Sequence, residues 1–293
     1  METRELRYFV AVAEELHFAR AAQRLMMTQP PLSRAIQQLE RRLGVILLHR
    51  TARAVTLTAA GVVLLREARL ALEAVEAAEL RTLRAAAPRP TLVLAAKAGA
   101  SSELLSKILD AYASEPDAAA IEVTLGGPGQ PEALLRTGHA DVALLHRPYD
   151  ETAGFDTEDL HTEQQMLVVP ADHPVAGQPL LSMAEVEALT DLPLPRWPEP
   201  NGTYPEGRGP EVRDHTQLLQ LISLGLACAV VPESLQSQLR HGHAMVPVSD
   251  APTVTTVVAW PPHSTSQVLA HFIRTATRLY PDTHAPMIVS TTS

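Results

Sequence analysis

Between residues 28 and 53 the chain gathers side chains suited to reading a polar, anionic partner. Thr28, Gln29, Pro30, Ser33, Arg34 and Gln37 come first, and Arg50 and Arg53 follow. Glutamine can bond adenine through two hydrogen bonds, arginine can grip guanine or a phosphate, and serine and threonine hydroxyls commonly meet phosphate oxygens. These groups read a base sequence only when held in register on one rigid element, so the elements around them matter.

Leu6, Phe9, Val10, Ala13 and Leu16 recur at helical spacing, and Phe18, Ala21, Ala22 and Leu25 repeat the pattern. Two helices are expected before residue 27. Thr28 then stands at an N-cap position, and Pro30 and Pro31 fall in the first turn of a third helix, where backbone N–H groups lack intrahelical acceptors. On a helical wheel Leu32, Ile36, Leu39 and Leu43 share one side, while Pro30, Arg34, Gln37 and Arg41 fall on the other. Gly44 follows as a stop. Helix, helix, short turn and a third helix with a polar, basic face is the arrangement that seats a recognition helix in the major groove. The run from Leu47 to Leu57 sets a basic loop between apolar ends. It reads as a β-wing whose Arg50 and Arg53 can reach a flanking minor groove.

Of the 293 residues, 24 are Lys or Arg and 33 Asp or Glu, a formal net charge of −9. The sum conceals its distribution. Residues 1–60 hold nine arginines against five glutamates, and residues 17–60 hold seven arginines against Glu40 alone. The remainder carries fifteen basic and twenty-eight acidic side chains. A basic module that neutralises phosphates is thus joined to an acidic body that DNA would repel.

The same residues carry a resemblance. Phe18-Ala19-Arg20-Ala21-Ala22-Gln23-Arg24-Leu25, then Thr28-Gln29-Pro30-Pro31-Leu32-Ser33-Arg34-Ala35-Ile36-Gln37-Gln38-Leu39-Glu40, Leu43-Gly44-Val45 through Arg50-Thr51, and Leu57-Thr58-Ala59-Ala60-Gly61 resemble the winged helix-turn-helix of LysR-type transcriptional regulators. The match is gapless over about the first 65 residues; Leu48 replaces the commoner aromatic where the wing opens. The resemblance implies that Thr28, Gln29, Pro30, Ser33, Arg34, Arg50 and Arg53 face DNA. From 58 to about 86 the sequence is rich in Ala, Leu, Glu and Arg without proline, which predicts one long helix beginning at the cap Thr58. Leu65, Ala68, Leu72 and Val75 give it a short seam, which the resemblance identifies with a dimerising linker. Pro88 and Pro90 mark a hinge.

Beyond residue 91 strand-like runs alternate with helical stretches. Strands are expected at 91–96, 121–125, 141–145, 165–169, 192–194, 227–231, 245–248 and 254–260, and helices near 101–114, 130–137, 182–189, 214–224 and 232–240. The alternation predicts α/β subdomains with mostly parallel sheets and a cleft between them. The resemblance implies a two-lobed effector domain like periplasmic solute-binding proteins, with crossovers near 149–163 and 261–262 and a closing helix at 265–279. The expected division is a winged helix-turn-helix at 1–58, a linker helix at 59–87 and an effector domain at 91–293. Its first lobe takes about 91–160 and 263–280, its second about 161–262. The tail 281–293 shows little periodicity.

In open α/β sheets ligands sit at the carboxyl ends of strands, beside helix N-termini. That places Gly99, Ala100, Ser101, Ser102, Gly127, His146 and Arg147 in the first lobe, and Arg196 and Trp197 in the second, around the cleft. Hydroxyls, N–H groups and arginines suit a small carboxylate, and Trp197 suits an aromatic ring. Glycines nevertheless stand where further hydroxyls would serve a carboxylate best.

No GxGxxG follows a strand, and GxxxxGK[ST], GxSxG and HExxH do not occur, so no catalytic residue or cofactor is expected. The single Cys228 lies in an apolar run and excludes a cysteine-based zinc site; His241 and His243 lack a third ligand at useful spacing, and no metal is expected. No apolar run is long enough to cross a membrane, and the N-terminus lacks the pattern of a signal peptide, so a cytoplasmic protein is expected. The reading is a sequence-specific transcriptional regulator that binds double-stranded operator DNA as a homodimer or homotetramer, answers a small-molecule effector, and meets RNA polymerase if it activates. The alternative is a DNA-binding module fused to an enzymatic or solute-binding α/β domain.

Overall fold

The computed structural model describes residues 1–51, 54–86, 90–199, 202–239, 241–262 and 264–280. The described chain forms two compact units, Met1–Leu83 and Arg84 onward.

In the first unit α1 (Thr3–Glu15), α2 (Phe18–Arg24) and α3 (Gln29–Leu43) pack around Phe9, Val12, Ala21, Leu32, Ile36 and Leu39. Each large side chain buried there contributes about 1.5–3 kcal/mol, so the apolar spacing alone drives assembly. Thr28 occupies the cap position of α3 but makes no side-chain cap bond. Gly44 ends the helix at φ 71°. β1 (Leu48–Arg50) pairs antiparallel with β2 (Val55–Leu57), Leu48 opposite Leu57, and makes the wing. α4 (Ala59–Ala85) begins where the Thr58 hydroxyl accepts the Gly61 N–H at 3.0 Å. A Cβ on Gly61 would lie 2.2 Å from the Leu47 carbonyl oxygen, so only glycine lets the helix pass the wing this closely. Along α4 Ala68 is buried, while Val62, Val63, Leu70, Val75 and Leu83 stay exposed.

The second unit holds two sheets. β3 (Thr91–Lys97) runs parallel to β4 (Ala120–Gly126) and to β5 (Val142–Arg147). Antiparallel β10 (Val254–Trp260) joins β5 to the edge strand β6 (Asp156–Glu163), giving the order β4-β3-β5-β10-β6. α5 (Ser102–Ala113) and α9 (Gln267–Arg278) cover one face through Ile108, Tyr112 and Phe272; α6 (Gln130–Arg136) covers the other through Leu135. The smaller sheet, ordered β8-β7-β9, comprises β7 (Gln165–Pro170), β8 (Ala229–Pro232) and β9 (His243–Pro247), with α7 (Met183–Glu187) and α8 (His215–Ser223) beside it.

Several expectations are corrected. The second sheet is wholly antiparallel, and only β3 with its two neighbours is parallel. Residues expected as a crossover contain β6, whose sequence Asp-Thr-Glu-Asp-Leu-His-Thr-Glu is polar because it forms a sheet edge and buries only Leu160 and Glu163. β10, assigned by sequence to the second lobe, belongs to the first sheet, so the chain returns before residue 254 and not at 261–262. Residues 192–194 form no strand, and the expected helix at 232–240 is a 3-10 turn over Glu233–Gln238. Arg53, the hinge Pro88 and the tail beyond 280 lie outside the described residues.

Candidate functional site

On α3 the polar face is exposed as its spacing requires: Thr28, Gln29, Pro30, Arg34 and Gln37 are open to solvent and Ser33 is half-buried. Several arginines of this unit are already engaged. Arg20 pairs with Glu15 at 3.2 Å, Arg24 with Glu14 at 2.7 Å and Arg42 with Glu5 at 2.6 Å. Burial works to raise the Glu14 carboxyl, but Arg69 and Arg24 outweigh it and hold it below its ordinary value. Arg34 has no ion-pair or hydrogen-bond partner among the described residues. Its charge is therefore available to a phosphate or a base.

The wing is tied to α3 by a carboxylate that sequence reading noticed only as a lone acidic residue. Glu40 Oε1 accepts the Leu47 and Leu48 N–H groups at 2.9 and 3.2 Å, and its Oε2 accepts Arg50 at 3.0 Å. Arg50 also lies over the Phe18 ring at 4.7 Å and within 3.5 Å of the Ser33 hydroxyl. Arg50 thus spends part of its hydrogen-bonding capacity inside the module, braced against α3.

In the α/β unit Gly99, Ala100, Ser101 and Ser102 form the turn between β3 and α5. Ser101 adopts φ 48°, a left-handed backbone that is costly for a residue with a Cβ, and its hydroxyl makes no cap bond to α5. Instead Ser101 Oγ lies 2.8 Å from His146 Nε2 and 3.1 Å from Thr256 Oγ1. Behind them Asp150 Oδ2 accepts the His146 backbone N–H at 2.7 Å, and Lys97 pairs with Asp150 Oδ1. Burial acts to raise the Asp150 carboxyl, but His146 and Lys97 prevail and hold it below its usual value. Glu132 is pushed up by burial and by Asp150.

The smaller lobe closes over this turn. Gln238 Nε2 donates to the Gly99 carbonyl at 2.8 Å and reaches the Ser102 hydroxyl at 3.4 Å. A Cβ on Gly99 would sit 3.2 Å from His215 Cβ, and the φ of 80° there is itself a glycine conformation. Trp197 packs its ring 5.4 Å from that of His215, so it joins the cleft through a neighbour. Gly127 sits where an added Cβ would meet the Arg213 carbonyl oxygen at 3.9 Å. The two expected arginines go elsewhere. Arg147 pairs with Asp159 on β6, and Arg196 bonds the Gly209 and Pro205 carbonyls and Glu211, bracing its own loop.

A cavity of about 460 Å³ opens between the lobes, lined by Glu103 of α5, His161 and Glu163 of β6, and Glu233, Ser234, Gln236 and Ser237 from the smaller lobe. None of these was expected. The signal lay in acidic and hydroxyl residues on three segments, α5, the β6 edge and the 3-10 turn, and the sequence revealed neither of the last two. Among the described residues no group of three His, Cys, Asp or Glu is placed to hold a metal ion.

A winged helix-turn-helix followed by two α/β lobes around a polar cleft defines a DNA-binding regulator with a sensing domain. Family models give the same division: the bacterial regulatory helix-turn-helix protein of the lysR family matches residues 3–62, and the LysR substrate binding domain matches residues 85–280. The chain is 31% identical over 289 residues to the Hca operon transcriptional activator HcaR of Escherichia coli, covering 93% of this chain and 96% of that one. It is 35% identical over 248 residues to the transcriptional regulator AlsR of Bacillus subtilis, covering 80% and 81%. Among solved structures, the LysR family regulator CbnR superposes with TM-score 0.57 at 26% identity, over 95% of this chain and 99% of that one. CbnR complexed with its target DNA gives 0.51 at 28%, with the same coverage. The chain belongs to the LysR family of DNA-binding transcriptional regulators.

Proposed function

We propose that this regulator reads its operator through Thr28, Gln29, Pro30, Ser33, Arg34 and Gln37 on α3, with Arg50 and Arg53 of the wing against flanking DNA, and that it answers a small molecule held in the cleft beside Ser101. The observation that carries the DNA reading is Arg34, exposed on the polar face of α3 without a partner among the described residues, while Arg20, Arg24, Arg42 and Arg50 of the same unit are ion-paired. The cleft reading rests on the strained, buried Ser101 turn facing Gln238 and His215. Binding would shift the population of lobe arrangements and so change how paired modules engage DNA.

A homodimer or homotetramer follows from physical need, since one module buries too little surface for useful specificity and linked modules gain effective concentration. Exposed apolar side chains along α4, Val75 of the expected seam among them, support such pairing. The relative CbnR, crystallised with target DNA, supports the same use of the fold. The cytoplasm is the proposed location; no described helix is long and apolar enough to cross a membrane. The protein acts without catalysis, and RNA polymerase is a partner if it activates.

A thermal-shift screen of the full-length protein against small metabolites tests the cleft. A stabiliser is expected whose effect is lost in Gln238→Ala and which is recovered unchanged. Turnover of that compound would instead favour the enzyme alternative.

A further inference from the structure

A serine hydroxyl has one proton and two lone pairs, so its neighbours decide whether it gives or receives a hydrogen bond. At Ser101 both neighbours are buried: His146 is 5% exposed and Thr256 fully enclosed. His146 Nδ1 has one polar group near it, the Asp150 Oδ2 carboxylate oxygen at 3.4 Å, in poor alignment for a bond. A carboxylate cannot donate, and a bare Nδ1 lone pair would face it repulsively, so the ring proton belongs on Nδ1. The Asp150 charge is already matched by Lys97, and a further cation on the ring would leave the buried cluster of Lys97, His146 and Asp150 with excess positive charge. Nε2 then carries a lone pair and accepts from Ser101. Thr256 gives the same answer independently: its buried hydroxyl bonds Ser101 Oγ and must donate there to avoid an unsatisfied proton. His215 across the cleft is the other titratable group near the ring, and Glu132 on α6 lies by Asp150 and Lys97 of the same cluster.

We propose that His146 is a positioning residue that takes the Ser101 proton and leaves the Ser101 oxygen as an acceptor, so that a molecule in the cleft must bring a hydrogen-bond donor to that point. Resting on the cleft reading, this gives its ligand a chemical class: a neutral or cationic small molecule bearing a hydroxyl, amine or amide N–H, in place of the carboxylate that the sequence suggested. The cavity between the lobes has the matching charge. Glu103, Glu163 and Glu233 line it, Lys107 holds Glu103 ionised, and among the described residues no lysine or arginine lines it.

The ring proton can be read directly. Full-length protein with 15N-labelled histidine, studied by long-range proton–nitrogen correlation near neutral pH, should show one histidine with a protonated Nδ1 and an Nε2 that accepts a hydrogen bond. In Ser101→Ala that Nε2 signal should move toward the value of a free lone pair, while Thr256→Val, which keeps the shape, should identify the ring with its tautomer unchanged. If Ser101→Ala fails to fold, the wild-type and Thr256→Val spectra still assign the proton. A proton on Nε2, alone or with Nδ1, overturns the proposal. Benzylamine, benzyl alcohol and benzoate serve as ligand probes: movement of the His146 signals by the amine or alcohol supports the donor requirement, and movement by benzoate through Ser101 overturns it. If the tautomer is as proposed but a compound that stabilises the protein leaves His146 unmoved, the polarity stands and the cleft reading falls.

Discussion

Cys228 shows how one side chain's chemistry is set by its surroundings. It is fully enclosed, its Sγ–H donates to the Leu192 carbonyl at 2.9 Å, and burial pushes the thiol up to about 11. A thiolate is the reactive form, so the native protein should resist iodoacetamide at pH 8 and react only on unfolding; rapid native alkylation followed by mass spectrometry would contradict this burial. Because the folded thiol value is raised, the stability it lends is full below the unfolded value of 9.0 and is lost as pH climbs toward 11. The sequence made the buried thiol legible, since Cys228 sits in an unbroken apolar run. It did not make legible the turning of the Ser101 hydroxyl away from α5, because His146, Asp150 and Thr256 come from distant segments.

At the scale of elements, α3 and the wing act as one part because Glu40 holds them together. Glu40→Gln keeps the shape but removes the charge that Arg50 and two backbone N–H groups meet. A cost of about 1–3 kcal/mol is expected, seen as an earlier melt, with DNA affinity falling as the wing loosens. Unchanged melting and binding would show that the wing holds itself. The helices and buried strands were readable because their apolar residues keep the 3.6 or 2 period over whole elements, as in Leu32, Ile36 and Leu39, or the run from Leu92 to Ala96. β6 was not, since an edge strand with only Leu160 and Glu163 inside shows little period. The sheet that β10 joins was equally hidden, because partner choice depends on contacts across the whole unit. The polar face of α3 was legible because it lies on one helix with local geometry, whereas the cleft candidates come from four separate segments, 99–102, 127, 146–147 and 196–197.

Over the whole molecule, charge and cleft work at different ends of the chain. The total of −9 resolves into a basic module, in which Arg20, Arg24, Arg42 and Arg50 are ion-paired while Arg34 on the polar face of α3 has no partner among the described residues, and an acidic body. In that body His215 seats the smaller lobe against Gly99, and burial depresses its pKa, helped by the charge of Lys97. The neutral ring is what the closed lobes hold, so this stability is present above the ordinary histidine value of 6.5 and is lost as pH falls below it. Melting followed from neutral to mildly acidic pH should show a loss that His215→Leu flattens; an identical slope in the variant would place the titration elsewhere. The central claim, that α3 reads DNA through its free face, is tested most directly by letting the full-length protein select fragments from the genome that encodes it, beside Arg34→Ala. The wild type should enrich a small set of related sites, and the variant should bind them more weakly by about 1–3 kcal/mol. Equal enrichment and equal gel-shift affinity in the variant would contradict the account.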